Sequence, residues 1–363
     1  MKRKKRIVSF GHMGDYYIAA KPLVQLFGDE VLPSPPITKK TIEKGLKHSP
    51  ESVCIPFKYN LGNFIESLDK GANVLLQVGG GCRMGYYGEV QKEILKKLGY
   101  EFEFYKLVNS HNVIAVSRDI KRIMPGLSYV DIAKAFWISY HKAQAIDEID
   151  VNIRTNIGFE VKKGSFENLY KSFLIALDQT DSVKKVKKMK QEYAVKFQQL
   201  EIDKPENPIK VGIVGEIYIV MEPFSNFFVE KQLAKYGIEV HRFISVTGII
   251  HHSFNYDKHI KHLVKKGFPY LTGALGAHGT ESVSKAHELA KSGFDGLIHV
   301  KPFGCMPEVN AMSALYRISK DYKFPILYFS FDELASETGV KTRLEAFYDM
   351  LVMKKRRIHG KAN

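Results

Sequence analysis

The sequence predicts an α/β fold with two parallel-sheet domains joined by a helical segment. In two blocks, 1–125 and 206–363, short apolar runs alternate with segments of helical periodicity, which is typical of a parallel sheet covered by helices. Between them, in 126–205, two stretches with a 3.6-residue period, 129–147 and 165–200, predict a helical connector. A length of 363 residues allows two domains of ordinary size, each predicted to be Rossmann-like.

The first block is predicted to contain four strands that alternate with four helices. The mostly apolar run at 72–78 indicates a strand that is buried on both faces. Leu61, Phe64 and Leu68 give the helix before it an apolar stripe. Strands are predicted at 6–10, 31–32, 72–78 and 101–107, and helices at 16–27, 38–46, 58–70 and 90–98.

The second block repeats this alternation, which indicates a duplicated architecture without a repeat at the level of residues. Leu344, Phe347 and Leu351 form one apolar face on the last helix. Strands are predicted at 210–214, 239–243, 296–300 and 325–329, and helices at 224–236, 256–266, 282–292, 310–320 and 341–353.

Cys54, Cys82 and Cys305 are the three cysteines of the chain, and each precedes a stretch that favours the start of a helix. A proline, favoured in the first turn of a helix, stands two residues after Cys54 and after Cys305. A helix N-terminus favours negative charge and therefore the thiolate form. Three thiolates together form a soft ligand set that suits an iron–sulfur cluster or zinc. The alternative is three unrelated cysteines buried as small apolar side chains.

The positions of the cysteines predict where such a site would form. There is no C-x-x-C pair, so the sequence contains neither a zinc ribbon nor a ferredoxin-type motif. Cys54 and Cys82 belong to the first block and Cys305 to the second. Ligands of open parallel sheets bind beyond the carboxyl ends of the strands. The sequence therefore predicts a site in the cleft between the two domains.

Charge and hydropathy limit the possible locations and partners. The net charge of +15 comes largely from clusters at 2–6, 184–190 and 354–357, which we interpret as solvated surface. Aromatic residues are not interleaved with these charges, as single-strand nucleic-acid binding requires, so a nucleic-acid partner is not favoured. The sequence has no apolar run long enough to span a membrane and no secretory signal, and a cytoplasmic location is predicted.

Two segments carry a resemblance to a known family: 54–89 (CIPFKYNLGNFIESLDKGANVLLQVGGGCRMGYYGE) and 293–312 (GFDGLIHVKPFGCMPEVNAM). They resemble the 2-hydroxyacyl-CoA dehydratase family, including relatives associated with CoA-enzyme activases, and the resemblance covers most of the chain. It implies that Cys54, Cys82 and Cys305 hold one 4Fe–4S cluster with an open fourth iron site. It also implies association with a homologous subunit or a second copy of the chain.

The resemblance further implies an oxygen-sensitive, lyase-type activity on a CoA thioester. In that family one electron enters the thioester carbonyl, and the resulting ketyl radical expels the hydroxyl group. The electron comes from an ATP-hydrolysing iron–sulfur activator protein. Two alternatives remain open: a non-catalytic cluster carrier or scaffold, and a component of an ATP-dependent small-molecule reductase. The latter relatives bind a double-cubane cluster, which this chain could hold only by sharing it between two chains, since it has three cysteines.

Other residues near the predicted site are candidates for binding or catalysis. The backbone of Gly79, Gly80 and Gly81 allows close approach of a cluster or phosphate, although a tight turn would also explain these glycines. Arg83 is a candidate to neutralise cluster charge, or it pairs on the surface.

His12 and His278 lie in glycine-rich loops and are candidates for a general base or a fourth cluster ligand, or they are loop histidines without function. Glu308 follows Cys305 and is a candidate proton acceptor, or it pairs with the helix dipole. Lys58 and Lys301 flank cysteine loops and are candidates to hold an anion, or they are solvated. The glycine-rich strings lack the acidic residue of a dinucleotide fingerprint, so NAD is not predicted.

Overall fold

The computed structural model describes residues 5–79, 83–108, 113–253 and 255–359. Within these ranges, the chain forms two four-stranded sheets in which every strand pair is parallel. The α/β prediction with parallel sheets is therefore confirmed. None of the described helices is both long enough and apolar enough to cross a membrane.

The first sheet is built around a strand that is covered on both faces. Its strands are β1 (Ile7–Phe10), β2 (Glu30–Val31), β3 (Val74–Gly79) and β4 (Glu103–Val108), in the spatial order β2-β1-β3-β4. Val74, Leu75 and Leu76 are consecutive and all buried. Since neighbouring side chains of a strand point to opposite faces, both faces of β3 contact the core, as the apolar run predicted.

The second sheet has the same organisation. Its strands are β5 (Ile209–Gly215), β6 (Ile238–Arg242), β7 (Gly296–Pro302) and β8 (Ile326–Phe331), in the order β6-β5-β7-β8. All seven residues of β7 are buried. In both sheets, the first strand in the chain lies between the second and the third. The order of connection reverses there, and in open parallel sheets this switch point is where ligands bind.

Helices connect the strands of both sheets. In the first part of the chain they are α1 (Tyr17–Val24), α2 (Lys39–His48), α3 (Ile55–Asp69), α4 (Tyr87–Lys97) and α5 (Val113–Ile123). The central helices are α6 (Tyr129–Asn156), α7 (Ser165–Asp178) and α8 (Val183–Gln198). The remaining ones are α9 (Ile217–Met221), α10 (Val229–Ala234), α11 (Val246–Ser253), α12 (Tyr256–Gly267), α13 (Gly279–Lys291), α14 (Met306–Asp321) and α15 (Glu337–His359).

Two helices predicted as continuous are interrupted. The stretch 165–200 forms two helices, α7 and α8, and the side chain of Ser182 accepts a hydrogen bond from the Lys185 amide (3.4 Å) at the start of the second. The stretch 224–236 begins with a 3₁₀ turn and then breaks, because Phe227 and Phe228 adopt left-handed backbone conformations before α10. Helices α5, α9 and α11 were not predicted from the sequence.

The chain divides into two compact units. Unit 1 contains Met1–Asp147, Ser172–Glu192 and Val246–Asn255, and unit 2 contains Glu148–Lys171, Tyr193–Ser245 and Tyr256–Asn363. Unit 1 holds the first sheet and unit 2 the second. The domain boundaries that the sequence indicates at residues 125 and 205 remain a prediction.

In unit 1, helices α2 and α3 cross at two glycines. A Cβ atom at Gly45 would lie 1.8 Å from the carbonyl oxygen of Lys58, and one at Gly62 would lie 1.9 Å from that of Thr41. No real side chain tolerates such distances, so the two backbones are in direct contact. This contact fixes the position of α3, the helix that begins directly after Cys54.

We expect Gly62→Ala to lower the free energy of unfolding by about 1–3 kcal/mol or more, because the added methyl group must separate α2 from α3. Urea denaturation followed by circular dichroism measures the change. Gly126→Ala is the matched control, since a Cβ atom there meets open space. Equal stability of the two variants would contradict a close helix crossing.

Candidate functional site

Cys54 is the N-cap residue of α3 in unit 1. Its backbone is extended, and Pro56 occupies the first turn of the helix. The thiol is half-buried, and its Sγ lies 3.2 Å from the phenolic oxygen of Tyr87. The sulfur accepts no capping hydrogen bond from a helix amide.

Cys305 has the same role in unit 2, where it is the N-cap residue of α14. Its backbone is again extended, Pro307 lies in the first turn, and the thiol is half-buried. This sulfur, too, accepts no capping hydrogen bond. Both thiols therefore lie at the positive end of a helix, which favours the thiolate.

The third predicted ligand, Cys82, lies outside the described residues, as do Gly80 and Gly81. Gly79 is the last residue of β3, and Arg83 begins a 3₁₀ turn that leads into α4. Among the residues that the structure describes, no group of three or more His, Cys, Asp or Glu side chains is arranged to hold a metal ion. That search did not include Cys82, so the site with three cysteines stays a prediction.

A buried histidine and a buried glutamate contact each other on either side of Cys305 in the chain of unit 2. Nε2 of His299, on β7, lies 2.8 Å from Oε2 of Glu308, in the first turn of α14. Both side chains are essentially inaccessible. Nδ1 of His299 and Oε1 of Glu308 have no hydrogen-bond partner among the described residues. The sequence predicted Glu308 but not His299, which is hidden in an apolar strand.

Glu216 adds a second buried carboxylate, directly after β5. Its Oε2 accepts a hydrogen bond from the Ile219 amide (3.0 Å) and so caps α9. Burial raises the pKa of this carboxyl, although the amides of Ile219 and Tyr218 oppose the rise. Gly215 precedes it with φ +144°, and a Cβ atom there would lie 1.8 Å from the Val300 carbonyl oxygen. The sequence reading missed Glu216, whose only signal was an acidic residue directly after an apolar strand.

His278 is the N-cap residue of α13, and its Nδ1 lies 3.3 Å from Oε2 of Glu281. Burial disfavours the charged imidazole, but the bond to Glu281 and the charges of Glu216 and Glu308 outweigh it. The pKa of His278 is therefore raised above its ordinary value. The charge of Glu308, the other candidate acid or base in unit 2, is thus one of the influences on the pKa of His278.

The first turns of α13 and α14 are in direct contact. A Cβ atom at Gly279 would lie 2.4 Å from the Pro307 carbonyl oxygen. The two N-cap residues, His278 and Cys305, therefore begin adjacent helices of the same unit. In chain order, α13 leads into the third strand of its sheet as α3 does in unit 1, so His278 and Cys54 occupy equivalent places in the two units.

Two buried lysines accompany the two cysteines. Lys58, in α3, and Lys301, on β7, are each only 4% exposed. Burial lowers the pKa of Lys301, while Cys305 and Glu308 act to raise it. The structure thus corrects the view of these lysines as solvated.

His12 lies in unit 1, directly after the strand β1. Its amide donates a hydrogen bond to Oδ1 of Asn63 (3.1 Å), and its ring stacks on Tyr17 at a centroid distance of 6.2 Å. These two contacts account for the position of His12. Its catalytic role stays a prediction.

Comparison of the chain with known proteins found no matching family model and no match among curated proteins. A functional interpretation therefore depends on the side chains described above.

We expect the stability of the protein to fall as the pH rises above about 6.5, in a way that depends on His278. A raised folded-state pKa stabilises the fold fully below the ordinary histidine pKa of about 6.5, and this contribution is lost as the pH rises through the folded-state value. His278→Gln should therefore show a smaller fall in unfolding free energy than the wild type, measured by urea denaturation at each pH.

His262→Gln, which changes an exposed histidine of the same unit, is the control for this measurement. An unchanged pH dependence in His278→Gln would show that the interactions of His278 with Glu281, Glu216 and Glu308 do not stabilise its charged form.

Proposed function

We propose that the chain is the iron–sulfur component of a 2-hydroxyacyl-CoA dehydratase-type system, built from two Rossmann-like domains. In this proposal Cys54, Cys82 and Cys305 hold an open-site 4Fe–4S cluster. The observation that supports it best is the helix start that Cys54 and Cys305 share. In two different units, each is a half-buried cysteine at the N-cap of a helix with proline in its first turn.

Helix capping does not explain the choice of cysteine at these positions. Ser, Thr, Asp and Asn are the residues that usually accept a hydrogen bond from the first amides of a helix. Neither sulfur does so here. Nor are the two thiols buried as small apolar side chains, since both are only half-buried. A ligand role is consistent with both observations, because a partly accessible thiolate at a positive helix end is a good metal ligand.

The surrounding residues also suit an anionic cofactor with an exchangeable position. When bound, a cluster held by three thiolates supplies one-electron transfer and an open iron that acts as a Lewis acid. The phenol of Tyr87 lies beside the Cys54 sulfur and orients it. Oε2 of Glu308, three residues after Cys305, is hydrogen-bonded to Nε2 of His299, which lies six residues before Cys305 on β7. These two residues are the proposed proton reservoir of unit 2.

Protein purified without oxygen should contain about four iron and four acid-labile sulfide atoms per chain, as one 4Fe–4S cluster requires. Cys54→Ser, Cys82→Ser and Cys305→Ser should each lose most of the iron and of the brown colour, because a cluster with two remaining thiolates is poorly held. Met306→Leu, beside Cys305 at an exposed side chain, is the control that should keep both.

Absence of iron and sulfide after anaerobic reconstitution would contradict the proposal that the protein holds a cluster. If the cluster is present, a second experiment tests the reaction, by incubation with 2-hydroxyacyl-CoA, ATP and an iron–sulfur activator ATPase. Formation of the enoyl-CoA product supports the dehydratase. A cluster without any turnover would overturn the catalytic part of the proposal and favour the carrier.

A further inference from the structure

The outward face of α14 in unit 2 carries large apolar side chains. Ala311, Leu315 and Ile318 pack the inner face of this helix into the core. The exposed residues recur at intervals of three and four, as they do along one side of a helix. They are Met306, Val309, Ser313 and Tyr316.

Two loops extend this apolar surface at the carboxyl edge of the sheet. Phe303 follows β7 and Leu334 follows β8, and they are 70% and 87% exposed. The two loops start side by side, because the amide of Phe303 donates a hydrogen bond to the carbonyl of Phe331 (2.8 Å). The term α14 surface is used below for five residues: Phe303, Met306, Val309, Tyr316 and Leu334.

The α14 surface has almost no charge at its centre. In 303–316, all of which the structure describes, Glu308 is the one charged residue, and it is buried. Charged residues make up 26% of the whole chain. Depletion of charge together with aromatic residues and Met is typical of the core of a protein–protein interface. Exposed apolar patches with a polar rim are likewise typical of interaction sites.

An acidic segment, 332–337, lies on one flank of the α14 surface. It follows β8, the outermost strand on that side of the sheet, and leads into α15. Its acidic residues are Asp332, Glu333 and Glu337. These carboxylates stand beside Leu334, in a chain whose net charge is +15.

A basic helix, α12, lies on the other flank. Lys258, Lys261 and Lys265 are exposed on one side of it, at a spacing that places them in a row. Lys266 pairs with Glu288 (3.3 Å), whereas these three lysines form no ion pair with any residue that the structure describes. Since α13 packs between α12 and α14, the row of lysines and the segment 332–337 lie on opposite sides of the helical layer.

We propose that two copies of the chain associate through the α14 surface about a two-fold axis. In a two-fold interface, the same surface of each copy contacts the other, so the surface must be complementary to itself. An axis at α14 exchanges the two flanks, and α12 of one copy then faces the segment 332–337 of the other. The apolar side chains form the centre of this interface, and opposite charges form its rim.

The overall charge does not prevent this association. A net charge of +15 repels a second copy at long range. At physiological ionic strength, however, salt screens charges beyond about 8 Å, so the charges in contact at the rim decide the outcome. The inference goes beyond the proposed function and does not depend on it, because none of the residues involved is a proposed cluster ligand.

Sedimentation velocity of the full-length protein over a range of concentrations measures this association. We expect a species with twice the mass of one chain. Val309→Glu and Leu334→Glu should each raise the Kd of the dimer about tenfold or more, because each places a charge in the apolar centre. Ile175→Glu changes an equally exposed apolar residue of α7 in unit 1, and as the matched control it should leave the Kd unchanged.

A wild-type chain that stays monomeric at every concentration would overturn the proposal and leave the α14 surface to an unlike partner. A dimer that Val309→Glu and Leu334→Glu leave as tight as Ile175→Glu does would also overturn it, since another surface would then hold the dimer. Both glutamates replace exposed side chains, and circular dichroism checks that the variants are folded.

A pair of charge-reversed chains tests the two-fold arrangement. One chain carries Lys261→Glu with Lys265→Glu, and the other carries Glu333→Lys with Glu337→Lys. Each alone should dimerise more weakly than the wild type, because like charges then meet at both rims. A mixture of the two should recover the dimer, because both rims again join opposite charges.

A mixture that associates no better than its components would overturn the proposed pairing of α12 with the segment 332–337. The outcome is separable from that of the proposed function, since iron is not measured here. A cluster in a monomeric chain would sink this inference alone, and a dimer of the expected kind without iron would sink only the proposed function.

Discussion

The parallel pairing of strands in the order second, first, third, fourth is the constraint on which the other features depend. Parallel strands need crossover helices, and these helices begin near the carboxyl ends of the strands. In unit 2, this arrangement brings the end of β5, the end of β7 and the first turns of α13 and α14 to one edge of the sheet. Close approach at this edge depends on glycine, since Gly215 and Gly279 leave no room for a side chain.

Several buried ionisable side chains lie at this edge of the sheet, although the fold itself does not require charged groups there. Glu216, His299, Lys301 and Glu308 are all less than 8% exposed, and Glu308 keeps one carboxylate oxygen without a partner among the residues described. Apolar residues of the same volume would pack there at a lower cost. A set of buried ionisable groups at the switch point of a parallel sheet is typical of a site for chemistry. The same sheet edge thus combines the thiol of Cys305 with nearby groups that carry protons or charge.

Local patterns in the sequence predicted most of the fold, and the failures have identifiable causes. Strands such as β3 and β7 were predicted because consecutive apolar residues of this length fit a buried parallel strand. The break at Phe227 and Phe228 was not, because it depends on Asn226, whose side chain donates a hydrogen bond to the carbonyl of Ile219 and accepts one from the amide of Val229. The spacing of apolar residues gives no indication of a hydrogen bond between a side chain and a backbone carbonyl seven residues away.

The candidate site was predictable only where the residue type itself was informative. Rare cysteines followed by proline marked Cys54 and Cys305 as starts of helices. His299, by contrast, lies within an apolar strand, and its importance depends on a carboxylate nine residues later that folds back onto it. Lys301 was considered solvated because lysines usually are. Its burial follows from its place on a strand that is covered on every side.

The equivalence of α3 and α13 means that the duplication preserves geometry while changing the donor atoms. At the helix start before the third strand, the first half carries the sulfur of Cys54 and the second half the imidazole of His278. A hypothetical chain made of two first halves would present sulfur at both places, and one made of two second halves would present imidazole at both. Thiolate is soft and anionic, whereas imidazole is a harder base that is positively charged when protonated, the form that the surroundings of His278 favour. The two halves therefore share a backbone arrangement but differ in the side chain at this helix start. Exchanging one half for the other would change the total charge of the side chains at these two positions.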